Sequence, residues 1–169
     1  MTNKPEVIRL HGYLEENLQD YKKASMFLAF PKCSFKCATE QGLNPEEICQ
    51  NYFNIKEQIK EYPLFELYEV YRKNPITEAF VLGGLEPLDS FDDVWSFISF
   101  IRDNALLEDD IVIYTGYYPE EIKDKIDKLK KFKNIYLKCG RFRIGQERHY
   151  DEVLGVNLAN EEQFGIKIS

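Results

Sequence analysis

From Ser25 onward the chain alternates between two hydrophobic rhythms. Short apolar runs of strand character, SMFLAF (Ser25 to Phe30), AFVL (Ala79 to Leu82), DIVIYT (Asp110 to Thr115) and NIYLKC (Asn134 to Cys139), are separated by longer stretches with helical spacing. Leu64, Leu67, Tyr68 and Tyr71 recur at i, i+3, i+4 and i+7, which predicts a helix that stops near Asn74-Pro75. A second helix opens at Asp89 or Ser90, where a capping side chain precedes Phe91, Val94, Phe97, Ile98 and Ile101 on one face. A third, rich in lysine, begins around Pro119. Strands joined by helical crossovers become parallel neighbours, and their functional loops gather at the carboxyl ends of the strands. The pattern therefore predicts an α/β fold whose cysteine loop, Gly83-Gly84 turn and Thr115-Gly116-Tyr117 turn share one edge. EVIRL (Glu6 to Leu10) and FGIKI (Phe164 to Ile168) are candidate peripheral strands, and the first two dozen residues give the weakest pattern.

At 169 residues, with 44% hydrophobic and 14% aromatic side chains, the chain suits one domain over residues 1–169 with a real core. No run approaches a membrane span, and MTNKPEVIRL lacks the apolar stretch of a signal peptide, so a cytoplasmic location is expected. The net charge of −7 opposes nucleic-acid binding, which depends on clustered Lys and Arg. Six lysines between Lys123 and Lys133 run against that balance, but Ile122, Ile126 and Leu129 lie among them at helical spacing. They read as a solvated helix face, with a docking patch for an acidic partner as the alternative.

Candidate chemistry begins with the cysteines. Cys33 and Cys37 enclose Ser34, Phe35 and Lys36, and Cys49 follows after eleven more residues, all just past a strand end. In a reducing compartment such a cluster points to metal rather than disulfides. Three thiolates on one loop can hold a cubane and leave one iron open to a substrate. Structural zinc is disfavoured because only His11 and His149 could complete a four-ligand set, and neither has ligand spacing. Cys139 ends an apolar strand and reads as core, with a place at the site as the alternative. Gly83-Gly84-Leu85-Glu86-Pro87 permits close backbone approach beside a carboxylate, which can meet an amine or cap the following helix. Arg141 and Arg143 could bind a carboxylate or pair with Glu147 or Asp151, and His149 reads as a surface residue.

This ordered series resembles the radical S-adenosylmethionine enzymes, whose usual C-x3-C-x2-C motif follows the first strand of a partial βα barrel. Here Glu40 stands where the third cysteine would fall, and the spacing becomes C-x3-C-x11-C. GGLEP is similar to the family's GGE-P turn with Leu85 inserted. Thr115-Gly116-Tyr117, Gly140-Arg141-Phe142 and the segment from Leu158 to Gln163 are similar to those of the anaerobic ribonucleotide reductase activating enzymes, with Cys139 in place of an Asp. The resemblance spans residues 25–163. It implies a short single-domain partial parallel βα barrel and a 4Fe-4S cluster on Cys33, Cys37 and Cys49. It also implies S-adenosylmethionine held by Phe35, Gly83, Gly84, Glu86, Thr115, Gly116 and Tyr117. The implied activity is reductive cleavage to a 5′-deoxyadenosyl radical, with a glycyl-radical protein as acceptor and a flavodoxin- or ferredoxin-like electron donor. The alternatives are a non-catalytic cluster-binding or interaction protein on the same scaffold, and a radical enzyme acting on a small molecule.

Overall fold

The computed structural model describes residues 6–49 and 51–169. Strands β1 (Val7–Leu10), β2 (Gly12–Asn17) and β3 (Ser25–Phe30) come first. The cysteine loop follows, carrying two single-turn helices, α1 (Lys36–Thr39) and α2 (Pro45–Ile48). Then come β4 (Lys60–Pro63), α3 (Leu64–Lys73), β5 (Ala79–Gly84), α4 (Phe91–Ser99), β6 (Asp110–Tyr114), α5 (Lys123–Leu129) and β7 (Ile135–Cys139). The chain closes with β8 (His149–Asp151), β9 (Val156–Leu158) and β10 (Phe164–Lys167).

A six-stranded open sheet in the order β10-β7-β6-β5-β3-β2 organises the molecule. Its four central strands are parallel, with Leu28 beside Leu82, Leu82 beside Ile113 and Ile113 beside Leu137. Both outer strands run antiparallel to their neighbours. Of the two peripheral strands expected, FGIKI supplies an edge of this sheet. EVIRL instead pairs with Lys60–Pro63 in a separate two-stranded ribbon. DIVIYT stops at Tyr114, releasing Thr115 into the turn, and Asn134 precedes its strand with a positive φ of 57°. The lysine helix starts at Lys123, after a 3-10 turn over Pro119–Glu121.

The three longer helices all pack on one face of the sheet. Leu64, Leu67 and Tyr71 of α3, Val94, Phe97 and Ile98 of α4, and Ile126 and Leu129 of α5 meet Met26, Leu28, Phe80, Leu82, Ile111, Ile113, Ile135 and Leu137. Each such aliphatic or aromatic side chain contributes about 1.5–3 kcal/mol relative to exposure. Tyr71 stacks on Phe80 at 3.9 Å, and α3 ends at Asn74 because Pro75 follows. The opposite face is covered by the β8–β9 hairpin, whose Val156 and Leu158 pack with Leu154 over Val81 and Val112. Burial on both faces explains why AFVL reads as a continuous apolar run rather than an alternation.

Candidate cluster site

The cysteine loop leaves the carboxyl end of β3, and local backbone geometry sets its thiols. Phe35 adopts a left-handed conformation, φ 54° and ψ 37°, unusual for a bulky residue. That turn aims its N–H at the sulfur of Cys33, 3.2 Å away, and starts α1, which carries Cys37. Asn44 and Glu47 form a capping box over α2 with Pro45 at its first position, and α2 ends at Cys49. Gln41 bridges the loop to the segment after β7: its Nε2 donates to the carbonyls of Cys37 and Phe142, and its Oε1 accepts from Ile144 N at 3.0 Å. Gln50 lies outside the described residues.

Cys33, Cys37 and Cys49 are all half-buried and line one cavity of about 390 Å³. Burial pushes the free Cys33 thiol up to about 12, and the Phe35 N–H opposes it. Burial likewise raises Cys37 and Cys49, while the N–H groups of Asn51 and Tyr52 hold Cys49 back. Amide donors aimed at a sulfur favour its thiolate, the form that binds metal. Among the described residues no three His, Cys, Asp or Glu side chains converge on a single ion. Three cysteines on one cavity can each ligate a separate iron of a cubane. Cys139 is fully buried among the helix-facing side chains and does not line the cavity.

The turns after β5 and β6 share the cavity with the thiols. Gly83, Gly84, Glu86, Thr115 and Gly116 line the cavity. Gly84 has φ 85°, and a Cβ there would lie 2.8 Å from the Cα of Ala29 and the N of Phe30. Its lack of a side chain lets the ends of β5 and β3 approach. Glu86, 5% exposed, uses both carboxylate oxygens: Oε1 accepts from Leu88 N at 3.1 Å and Oε2 from Gly116 N at 2.7 Å. Glu86 thus caps the turn after Pro87 and ties it to the Thr115 turn. Burial nevertheless raises its carboxyl to about 7, against those hydrogen bonds.

Phe35 and Tyr117, expected at the S-adenosylmethionine pocket, do not line the cavity. Phe35 packs against Tyr52 with ring centroids 6.0 Å apart. The Tyr117 hydroxyl donates to Asp89 at 2.6 Å, and Asp89 also accepts Ser34 N at 2.9 Å, which stitches the turn to the cysteine loop. The arginines find neither Glu147 nor Asp151. Arg141, 3% exposed, forms a fork on Glu121 and brings its Nε within 2.8 Å of Glu40, an ion pair without hydrogen-bond alignment. Arg143 reaches Glu40 at 2.9 Å and Glu162 at 3.3 Å. Glu40, where the third cysteine would fall, therefore latches the loop to the later chain. His149 is half-buried, its Nε2 2.6 Å from the carbonyl of Gln163.

Sequence reasoning missed Lys138, which lines the cavity with no ion pair or hydrogen bond of its ammonium among the described residues; its Nζ lies 5.4 Å from the Tyr114 ring centroid. Burial lowers it to about 8, with Glu86 opposing. Strand alternation carried the signal: Ile135, Leu137 and Cys139 face the helices, so Tyr136 and Lys138 must face the other way. Asp20, Arg148, Asn157 and Gln163 complete the wall from distant parts of the chain. No helix among the described residues is long and apolar enough to cross a membrane.

No curated protein matches the chain. The family model described as a 4Fe-4S single cluster domain matches residues 22–157, which takes in the cysteine loop, all four parallel strands and both glycine turns. With three thiols spread along one cavity and most of its length matched, the chain belongs to the 4Fe-4S single cluster domain family.

Proposed function

We propose that this protein is a radical S-adenosylmethionine enzyme whose cluster is held by Cys33, Cys37 and Cys49, and that its open sheet is a short form of the partial βα barrel. The observation that carries the reading is the meeting of those three thiols with Gly83, Gly84, Leu85 and Glu86 and with Thr115 and Gly116 around one cavity. When bound, the cluster supplies the electron that splits S-adenosylmethionine into methionine and a 5′-deoxyadenosyl radical. The residues of the chain bind and orient. Gly83 and Gly84 let β5 pack closely on Phe27 and Ala29 of β3 at the cavity wall, and each oxygen of Glu86 keeps a lone pair for a ligand ammonium. Thr115 and Gly116 bound the same space. The latch of Glu40, Arg141 and Arg143 holds the cysteine loop against the segment after β7.

An open sheet can admit a loop from a partner, so the acceptor best suited is a protein, and the activity is activation of a glycyl-radical enzyme in an oxygen-poor cytoplasm. One observation favours a second reading, a cluster protein without catalysis: both oxygens of Glu86 are already engaged by backbone amides. The deciding experiment is anaerobic reconstitution, addition of S-adenosylmethionine and dithionite, and quantification of 5′-deoxyadenosine. Formation that disappears in Cys33→Ala, Cys37→Ala and Cys49→Ala supports the enzyme. A reduced cluster whose spectrum ignores S-adenosylmethionine, with no product, supports the second reading. Cys49→Ala retaining a full cluster would instead reject Cys49 as ligand.

A further inference from the structure

Residues 37–49 carry two of the three cluster cysteines yet contribute no strand to the sheet, and their backbone bonds are local. Glu40 N donates to Lys36 O at 3.0 Å, Leu43 N to Ala38 O at 3.0 Å and Cys49 N to Pro45 O at 2.8 Å. Asn44 and Glu47 cap α2 from within the same stretch. Among the described residues, every hydrogen bond and ion pair from residues 37–49 to chain beyond the cysteine loop leaves from Glu40 or Gln41 and lands on residues 141–144. Cys33 is held differently. Ser34 N donates to Asp89 at 2.9 Å and Glu86 N to Lys32 O at 2.7 Å, which ties that end of the loop to the turn after β5.

The far side of the strap is firmly anchored. Arg141, 3% exposed, is shared between Glu40 and Glu121, and its carbonyl accepts Asn160 Nδ2 at 3.1 Å. Arg143 reaches both Glu40 and Glu162, and Glu162 accepts from Gln146 Nε2 at 2.9 Å. Gln41 follows Cys37 by four residues, so its side chain returns over the same turn of α1 to the Cys37 carbonyl and on to Phe142, which lines the thiol cavity. Glu40 itself does not line that cavity. The helix α2, which ends at Cys49, packs on α1 and takes its placement from it. A loop ordered before its ligand arrives loses less conformational freedom on binding, and it holds the ligand more tightly for that reason.

We propose that Glu40 and Gln41 are positioning residues that set Cys37 and Cys49 for the cluster before it binds, through an ion-paired strap to Arg141, Phe142, Arg143 and Ile144. The inference rests on the cluster assignment above and adds how the site is ordered without metal.

The test compares full-length Glu40→Gln with Glu162→Gln, which loosens Arg143 without touching the cysteine loop. Hydrogen exchange of the cluster-free protein reads local opening segment by segment. A hydrogen bond to a charged group contributes enough that its loss should speed exchange over residues 37–49 by roughly tenfold more than over β5, β6 and β7 in Glu40→Gln. After anaerobic reconstitution, loss of the cluster absorbance to excess EDTA should also run roughly tenfold faster in Glu40→Gln, and within about twofold of the unmodified rate in Glu162→Gln. Glu40→Asp, which keeps the charge on a shorter arm, should fall between Glu40→Gln and the unmodified protein. Equal acceleration of cluster loss by Glu40→Gln and Glu162→Gln would overturn the proposal, as would uniform acceleration of exchange across loop and sheet. An unmodified protein that holds no 4Fe-4S cluster would instead refute the cluster assignment, and the exchange comparison would still decide whether the strap orders the loop.

Discussion

Gly84→Ala tests whether the site depends on the approach of two strand ends. A left-handed conformation costs a non-glycine residue about 1–2 kcal/mol, and Gly84 has φ 85°. The added Cβ would also stand 2.8 Å from Ala29 Cα and Phe30 N and 3.0 Å from Ala29 C. All three are backbone atoms, so no side chain can swing aside and β5 must part from β3. Overpacking of that kind costs roughly 1–3 kcal/mol, for a total of about 2–5 kcal/mol. Gly42 supplies the control, because its φ of 67° is similar but nothing lies within 4 Å of its would-be Cβ. Only the conformational cost applies there, about 1–2 kcal/mol, partly offset by a stiffer unfolded chain. For a chain of this size each kcal/mol moves Tm by about 2–4 °C. Calorimetry should therefore show Gly84→Ala falling by roughly 4–20 °C and Gly42→Ala by no more than about 6 °C. Equal shifts in the two variants would refute the close-approach argument, and a Gly84→Ala protein that keeps its Tm would refute the strand register itself.

Other outcomes follow from the polar contacts. Glu40→Ala removes the ion pairs to Arg141 and Arg143 and should cost about 1–3 kcal/mol in urea denaturation, whereas breaking the exposed Lys133–Glu108 pair should cost under about 0.5 kcal/mol. Hydrogen bonding from Arg141 lowers Glu121 to about 2. Because its folded value lies below the unfolded 4.5, its contribution is present above pH 4.5 and is lost as pH falls toward 2. The Tm of the unmodified protein should thus drop more steeply across that window than that of Glu121→Gln. Lys138→Met removes a cavity cation, so the cluster-free protein should gain stability and the loaded cluster should show a more negative midpoint potential in an electron paramagnetic resonance titration.

Local information was the most legible part of this sequence. The four parallel strands and the helices bearing Leu64 and Phe91 follow from periodicity within a single element, because each buries an extended apolar face. Among the antiparallel strands EVIRL and FGIKI were legible and the others were not. Lys60–Pro63 is mostly polar and ends in proline, Gly12–Asn17 is largely exposed, and β8 and β9 span three residues each, too few to show a period. The same division runs through the site. The cysteines and the Gly83 and Thr115 turns are local motifs, and they do share one cavity edge. Tyr117 lies in such a motif yet faces away, since Asp89 from another turn captures its hydroxyl. The partners of Arg141 and Arg143 come from Glu40, Glu121 and Glu162, a choice among many acids that no spacing rule makes. Lys138 was visible only to a reader who assigned one strand face to the cavity.

The order of strands in the sheet bears on how the molecule is made. From β2 through β3, β5, β6 and β7 to β10, position across the sheet follows position along the chain. A chain emerging amino end first can therefore add each strand of this sheet to an edge already built, and only β1, which pairs with β4 outside it, waits for a later strand. The cysteine loop is complete before β5 forms, but Arg148, Asn157 and Gln163, which wall the cavity, come well after it in the chain, so the thiols are made before that part of their wall exists.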